Sequence, residues 1–213
     1  REQRCSWRGG AQAIPPGVSG GGFVPEDVFE QYADDYDRWF EEHPAEYRAE
    51  LARVRVLLPP IVPSSVEVGV GSGRFAAPLG IPLGIEPSPA LCRMARQRGI
   101  EVIRAIGEAI PFRDASIPSV LMVTVICFLE DPPRVLAELR RILVPGGAVV
   151  LAFIERGGPT HKKYLHEGGK GRFLSRARFY SKEEVQALLE TAGFRITAVD
   201  PRAGFCVIAA QKS

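Results

Sequence analysis

One stretch constrains this chain more than any other: Val66 to Glu86, which opens Val-Glu-Val-Gly-Val-Gly-Ser-Gly-Arg-Phe and closes on Gly-Ile-Glu. Val66, Val68 and Val70 are β-branched and predict a strand running into a turn at Gly69, Gly71 and Gly73. Glycine at alternate positions frees φ and removes Cβ atoms, so a ligand can approach the backbone closely. A second strand, Leu83 to Ile85, ends in Glu86 and is followed by Pro-Ser-Pro. A carboxylate at the carboxyl end of the strand after a Gly-rich loop is placed to accept both hydroxyls of a ribose. The stretch therefore predicts a nucleoside-bearing cofactor.

The spacing narrows the choice. Dinucleotide binding asks for Gly-x-Gly-x-x-Gly, whereas here the glycines fall at 69, 71 and 73, and the Gly-Lys-Ser/Thr of a Walker loop is absent. The pattern resembles motif I of the class I methyltransferases that use S-adenosylmethionine (SAM), with Glu67 at the acidic position two before the first glycine. The resemblance implies that Gly69, Gly71 and Gly73 wrap the methionine part of SAM and that Glu86, with Pro87 beside it, holds the ribose. Ala105-Ile-Gly-Glu-Ala-Ile-Pro-Phe112 is similar to the family's Gly-Asp-Ala-Glu-x-Leu-Pro-Phe, which places Ile106, Gly107 and Glu108 at the adenine. Ile106 stands where the family has Asp, so backbone groups and the Ile106 side chain are left to read the base. Pro118 likewise replaces an Asp near the start of the fourth strand. Leu-Arg-Arg-Ile-Leu-Val-Pro-Gly-Gly, ending at Gly147, resembles the segment following the family's motifs; the likeness runs over about residues 29 to 154. It points to the small-molecule group of these enzymes (methyltransferase type 11, UbiE-like), with SAM as cofactor, S-adenosylhomocysteine (SAH) as product and no metal.

Residues 1–22 are Gly-rich, carry Pro15-Pro16 and show no periodicity, which predicts a flexible leader ahead of a single domain over 23–213. From Pro25, Phe29, Tyr32, Tyr36 and Phe40 recur at helical steps; His43-Pro44 interrupts, and Tyr47, Leu51, Val54 and Leu58 line a second helix. Asp35-Tyr36-Asp37-Arg38-Trp39-Phe40 is similar to the family's Tyr-Asp-x-Trp-Phe, so residues 23–60 read as a helical lid with Tyr36 and Trp39 as candidate lid residues, or as aromatics packed on the sheet. The crossover after the Gly loop, Arg74 to Leu79, is short. Ser88-Pro89 starts a helix and Asp131-Pro-Pro another. Between them the apolar run from Val120 reads as a central parallel strand. Thr124 to Phe128, just beyond it, should line the place where methyl meets acceptor; Thr124 is a cofactor candidate, and Cys127 either lines the acceptor or is a buried small hydrophobe. Ala148 to Ile154 is the fifth strand, the stretch 155–180 a basic loop near the acceptor site, Ser181-x-x-Glu184 a capping box, and 194–199 with 205–210 a closing strand pair. Alternating strands and helices give a Rossmann-like, doubly wound α/β/α fold, mostly parallel with an antiparallel C-terminal strand.

Bulk properties exclude several classes. A net charge of +2 argues against a dedicated nucleic-acid binder, which normally shows a strongly basic stripe, and no Asn/Asp-Pro-Pro-Tyr/Phe sequence follows the fourth strand. Its longest apolar run, Val120 to Leu129, is far short of the roughly 20 residues of a membrane span. Cys5, Cys92, Cys127 and Cys206 show neither metal-ligand nor disulfide spacing, which suits a reducing, cytoplasmic setting. The expected partner is a small-molecule acceptor, for a monomer or homodimer. Transfer from a sulfonium needs alignment more than acid–base catalysis, so His43, His161 and His166 are the available bases and none is assigned; the catalytic residue is left unknown. The alternative is a methyltransferase fold that binds SAM or SAH without turnover. A NAD-dependent oxidoreductase lacks its third glycine here, and an aminopropyl transferase lacks its acidic polyamine signature.

Overall fold

The computed structural model describes residues 26–166 and 171–213. The leader over 1–22, Cys5, the Pro25 helix start and Lys170 lie outside the described residues. Three helices come first: α1 (Glu26–Gln31), α2 (Ala33–Glu42) and α3 (Pro44–Leu57). The chain then alternates through β1 (Val66–Val68), α4 (Ala76–Leu79), β2 (Leu83–Ile85), α5 (Pro89–Gln97), β3 (Glu101–Ile103), β4 (Ile117–Val123), α6 (Pro132–Ile142) and β5 (Leu143–Ile154). It finishes with α7 (Pro159–His166), α8 (Lys182–Thr191), β6 (Phe194–Asp200) and β7 (Phe205–Lys212).

The strands form one seven-stranded sheet in the order β3-β2-β1-β4-β5-β7-β6. The first five pair in parallel, while β7 runs antiparallel to both β5 and β6. Because β2 and β3 lie to one side of β1 and β4 and β5 to the other, the winding reverses between β1 and β4. A crevice opens at the carboxyl ends of the strands at such a reversal.

The faces follow the two-residue period of a strand. Val120, Met122, Val149, Leu151, Phe153, Cys206 and Ile208 point to one side, beneath Val135, Leu136 and Leu139 of α6 and Val185 and Leu189 of α8. Leu121, Val123, Val150, Ala152 and Val207 point to the other, beneath Phe40, Val54, Cys92 and Ala95 from α2, α3 and α5. Pro118 is accommodated where β4 and β5 change register, between the Ile117–Leu143 and Ser119–Ala148 pairs. A strand residue with no N–H belongs at such an irregularity. For the same reason β5 begins at Leu143, earlier than the Ala148 expected, and carries Pro145-Gly146-Gly147 within it.

Local chemistry explains the starts of helices. The Ser88 hydroxyl accepts from Leu91 N, Asp131 accepts from Arg134 N, and Ser181 and Glu184 close a reciprocal capping box at α8. Two expectations change. The predicted first helix breaks at Tyr32, which separates α1 from α2. The stretch 155–180, expected as a loop, holds helix α7 and a short turn at Leu174–Arg176.

Candidate functional site: the crevice between strands 1 and 4

The floor of the crevice is the glycine turn. Gly69 and Gly71 have φ of +71° and +55°, the left-handed region that costs other residues a steric penalty. A Cβ on Gly69 would sit 2.3 Å from Val125 Cγ2, one on Gly73 would sit 2.5 Å from Ile100 Cδ1, and one on Gly71 would meet the Tyr36 hydroxyl at 3.0 Å. The turn is pinned to β2, since the Gly69 and Val70 amides donate to the Ile85 carbonyl at 2.8 and 3.0 Å. Glu86 completes it. Its carboxylate is buried; Oε2 accepts from Gly71 N and Oε1 from Ser88 N, each at 3.0 Å. Pro87 beside it is half-buried, and its carbonyl accepts from Arg104 at 3.0 Å.

Glu67 lies under the turn at 2% exposure, and its Oε2 has no partner among the described residues. Burial, with the charge of Glu86 adding, pushes its carboxyl well above the usual carboxylate range, although the Ala76 amide pulls the other way. A buried, unpaired oxygen is destabilising until something donates to it.

The adenine-side candidates lie on the turn between β3 and β4. Ile106 is exposed, and Gly107 and Glu108 are half-buried. A Cβ on Gly107 would come within 3.2 Å of both Val135 methyls, so this turn packs directly on α6. Glu138 accepts from Ile110 N at 2.9 Å, and Arg141 donates to the Ile110 and Phe112 carbonyls at 2.8 Å each.

Opposite the floor stands an aromatic wall. Phe29 of α1 stacks on Phe173 at 5.3 Å between centroids and meets Phe128 edge-on at 5.1 Å and Tyr36 at 5.6 Å. Tyr36 also meets Phe173 at 5.8 Å. Of the two lid candidates, Tyr36 is therefore in the crevice, its hydroxyl against Gly71. Trp39 lies on the exposed side of α2, stacked on His43 at 4.7 Å. Thr124 ends β4 in the left-handed region (φ 56°), donates its amide to Ala152 O at 2.7 Å, and turns the chain toward Cys127 and Phe128. Cys127 is buried and donates to the Thr124 carbonyl at 3.2 Å.

Neither polar group in this wall is a base at neutral pH. Burial, together with the carboxylates of Glu86 and Glu67, pushes the Tyr36 phenol far up. Burial alone pushes the Cys127 thiol up to about 12. The histidines sit elsewhere: His43 under Trp39, His161 accepting from Gly157 N at 2.9 Å beside Phe179, and His166 exposed on α7.

Two acidic joints fasten α1 and α2 to the floor, and sequence reasoning missed both. Asp37 takes a two-pronged bond from Arg74, at 2.8 and 2.6 Å, and another from Arg98 at 2.8 Å. Arg98 also donates to Ser72 O, and the Tyr47 hydroxyl to Arg74 O, so the glycine turn's own backbone is held. Burial would push the Asp37 carboxyl up, but these guanidinium bonds outweigh it and hold it at about 2. Glu30 accepts from the Ser88 hydroxyl and Ala90 N, at 2.6 and 2.8 Å, and so ties α1 to the start of α5. Asp37 and Arg74 are 37 residues apart, and no short-range spacing announces such a pair.

Among the described residues no His, Cys, Asp and Glu cluster is arranged for a metal, and no helix is long and apolar enough to cross a membrane. Cys92, Cys127 and Cys206 are buried free thiols.

Comparison with known proteins agrees with this geometry. A family model described as a methyltransferase domain matches residues 66–151. The uncharacterized protein MJ1123 of Methanocaldococcus jannaschii is 36% identical over 169 residues, 79% of this chain and 82% of that one. The uncharacterized protein Rv2003c of Mycobacterium tuberculosis is 38% identical over 166 residues, which span 76% of this chain and 58% of that protein. Among solved structures, a Thermotoga maritima protein described as a SAM-dependent methyltransferase, possible histamine N-methyltransferase, superposes with a TM-score of 0.80. It is 36% identical, and the match covers 88% of this chain and 99% of that one.

Proposed function

This chain belongs to the class I SAM-dependent methyltransferases, and we propose that it transfers a methyl group from SAM to a small-molecule acceptor by in-line displacement, releasing SAH. The observation that supports the reading is the buried Glu86 carboxylate at the carboxyl end of β2, held across the glycine turn by Gly71 N and Ser88 N. The residues present fit the cofactor. Gly69, Gly71 and Gly73 allow the left-handed turn that brings its backbone to the crevice, and the Glu67 oxygen without a partner among the described residues suits a cationic amino group. Ile106, Gly107 and Glu108 would border the base, with recognition resting on backbone groups because no carboxylate stands at 106; Pro87 and Thr124 would flank the ribose and the methyl end.

When bound, SAM supplies an electrophilic methyl on a sulfonium whose departure needs no acid. The protein's own part is to orient and to exclude water, an effect worth several kcal/mol. Tyr36 and the rings around it close the mouth, and Asp37 holds the helix that carries Tyr36 against Arg74 and Arg98. No protein base is assigned, since the Tyr36 and Cys127 protons stay on. We further read residues 23–213 as one domain, in a reducing, cytoplasmic setting suited to free thiols.

The test is transfer of label from methyl-labelled SAM into a low-mass metabolite extract. Label in a new small molecule, with matching SAH, is the expected result. Label retained in SAM by a protein that still binds SAH would favour the non-catalytic alternative.

A further inference from the structure

The stretch 155–180 carries a concentration of positive charge, and by sequence alone it is either a solvated surface or a device that attracts an anionic acceptor. The structure disposes of its charges differently. Lys162, Lys163 and His166 are exposed along α7. Arg172 pairs with Asp35 and lies 3.8 Å over the Tyr32 ring. Arg178 lies 5.1 Å over Tyr180 while its amide holds the Cys127 carbonyl at 2.8 Å. What the segment sends into the aromatic wall is Phe173, stacked on Phe29 and edge-on to Tyr36.

The wall's position follows from two contacts. Tyr36 reaches Gly71 in the turn after β1, and Phe128 closes the short turn Ile126–Phe128 that follows β4, so the rings stand over the reversal point of the sheet. Their faces are electron-rich and repel a negative group, while a flat aromatic guest can replace ring–ring contacts with equivalent ones. The buried Glu86 carboxylate beside Tyr36 adds further negative potential against an anion.

Resting on the methyltransferase reading, we infer that the acceptor is an uncharged, planar aromatic compound, seated among Phe29, Tyr36, Phe128 and Phe173, and not an anion drawn in by the basic segment. A matched pair of probes that share one ring tests this: neutral 3-methylindole and anionic indole-3-acetate, each titrated by calorimetry into the full chain with and without saturating SAH. The neutral probe should bind saturably and at least tenfold more tightly than the anion, and Phe173→Ala should weaken it at least fivefold. The double variant Lys162→Glu/Lys163→Glu should leave both affinities within twofold. Equal or tighter binding of indole-3-acetate, its loss in the lysine double variant, or SAH binding with no saturable binding of the neutral probe would each overturn the inference. Failure of SAH to bind would instead remove the methyltransferase reading, and the SAH-free titrations would still report on the wall.

Discussion

The floor of the crevice, from Val66 to Glu86, is one continuous stretch whose polar groups bond to one another: Ile85 O to the Gly69 and Val70 amides, Glu86 to Gly71 and Ser88. The wall facing it gathers Phe29, Tyr36, Phe128 and Phe173 from three separated parts of the chain and holds them by ring packing and ion pairs. A floor built on one short stretch tolerates little change, because its left-handed glycines and their close packing leave no space for a side chain. A wall assembled across long separations can vary one ring at a time. The contrast fits the proposed methyl transfer, in which the cofactor is constant and the acceptor particular to the protein.

That contrast can be broken most sharply at the floor. Gly69→Ala places a methyl on Val125 and forces alanine into the left-handed region. Strain and overpacking together should cost about 2–4 kcal/mol, read as a lower urea midpoint, and SAM binding should be lost with it. Unchanged stability would mean that the turn is not the rigid element described.

The joint between the regions comes next. Asp37→Asn leaves Arg74 and Arg98 without their shared charge and should cost about 1–3 kcal/mol, the lower end being favoured because Glu41 still pairs with Arg74. The pH dependence has a definite sign. The Asp37 carboxyl is held below its unfolded value, so its contribution, about 2 kcal/mol by linkage, is fully present above pH ~4 and is lost as pH falls toward about 2. Urea unfolding from pH 6 to pH 2 should show the gap between wild type and Asp37→Asn closing over that window. A constant gap would mean that the Arg bonds to Asp37 do not matter to folding.

The smallest effect is expected outside both regions. Ser181→Ala removes the capping box of α8 and should cost about 1 kcal/mol in thermal unfolding with no change in SAH affinity.

What was legible in the sequence follows the same division. The glycine turn, Glu86, the caps at Ser88, Asp131 and Ser181 and the apolar period of the strands are local signals, and the structure places each element they announce, ending with the antiparallel strand pair. The wall was half legible. Tyr36 carried a family-like motif, but Phe29, Phe128 and Phe173 are ordinary hydrophobes until the fold brings them together. The Asp37–Arg74–Arg98 joint was hidden for the same reason. The charge of 155–180 left two readings open, because a sequence shows that arginines are present and not that Asp35 and aromatic rings engage two of them.

The central claim, that Glu86 and the glycine turn form a nucleoside-cofactor site, is tested most directly by calorimetric titration of SAH into the wild type and Glu86→Ala. The account predicts saturable one-site binding to the wild type, weakened by about 5- to 150-fold in the variant, the ~1–3 kcal/mol of leaving ribose hydroxyls poorly paired. Equal affinity in the two proteins, or no binding to the wild type, would contradict it.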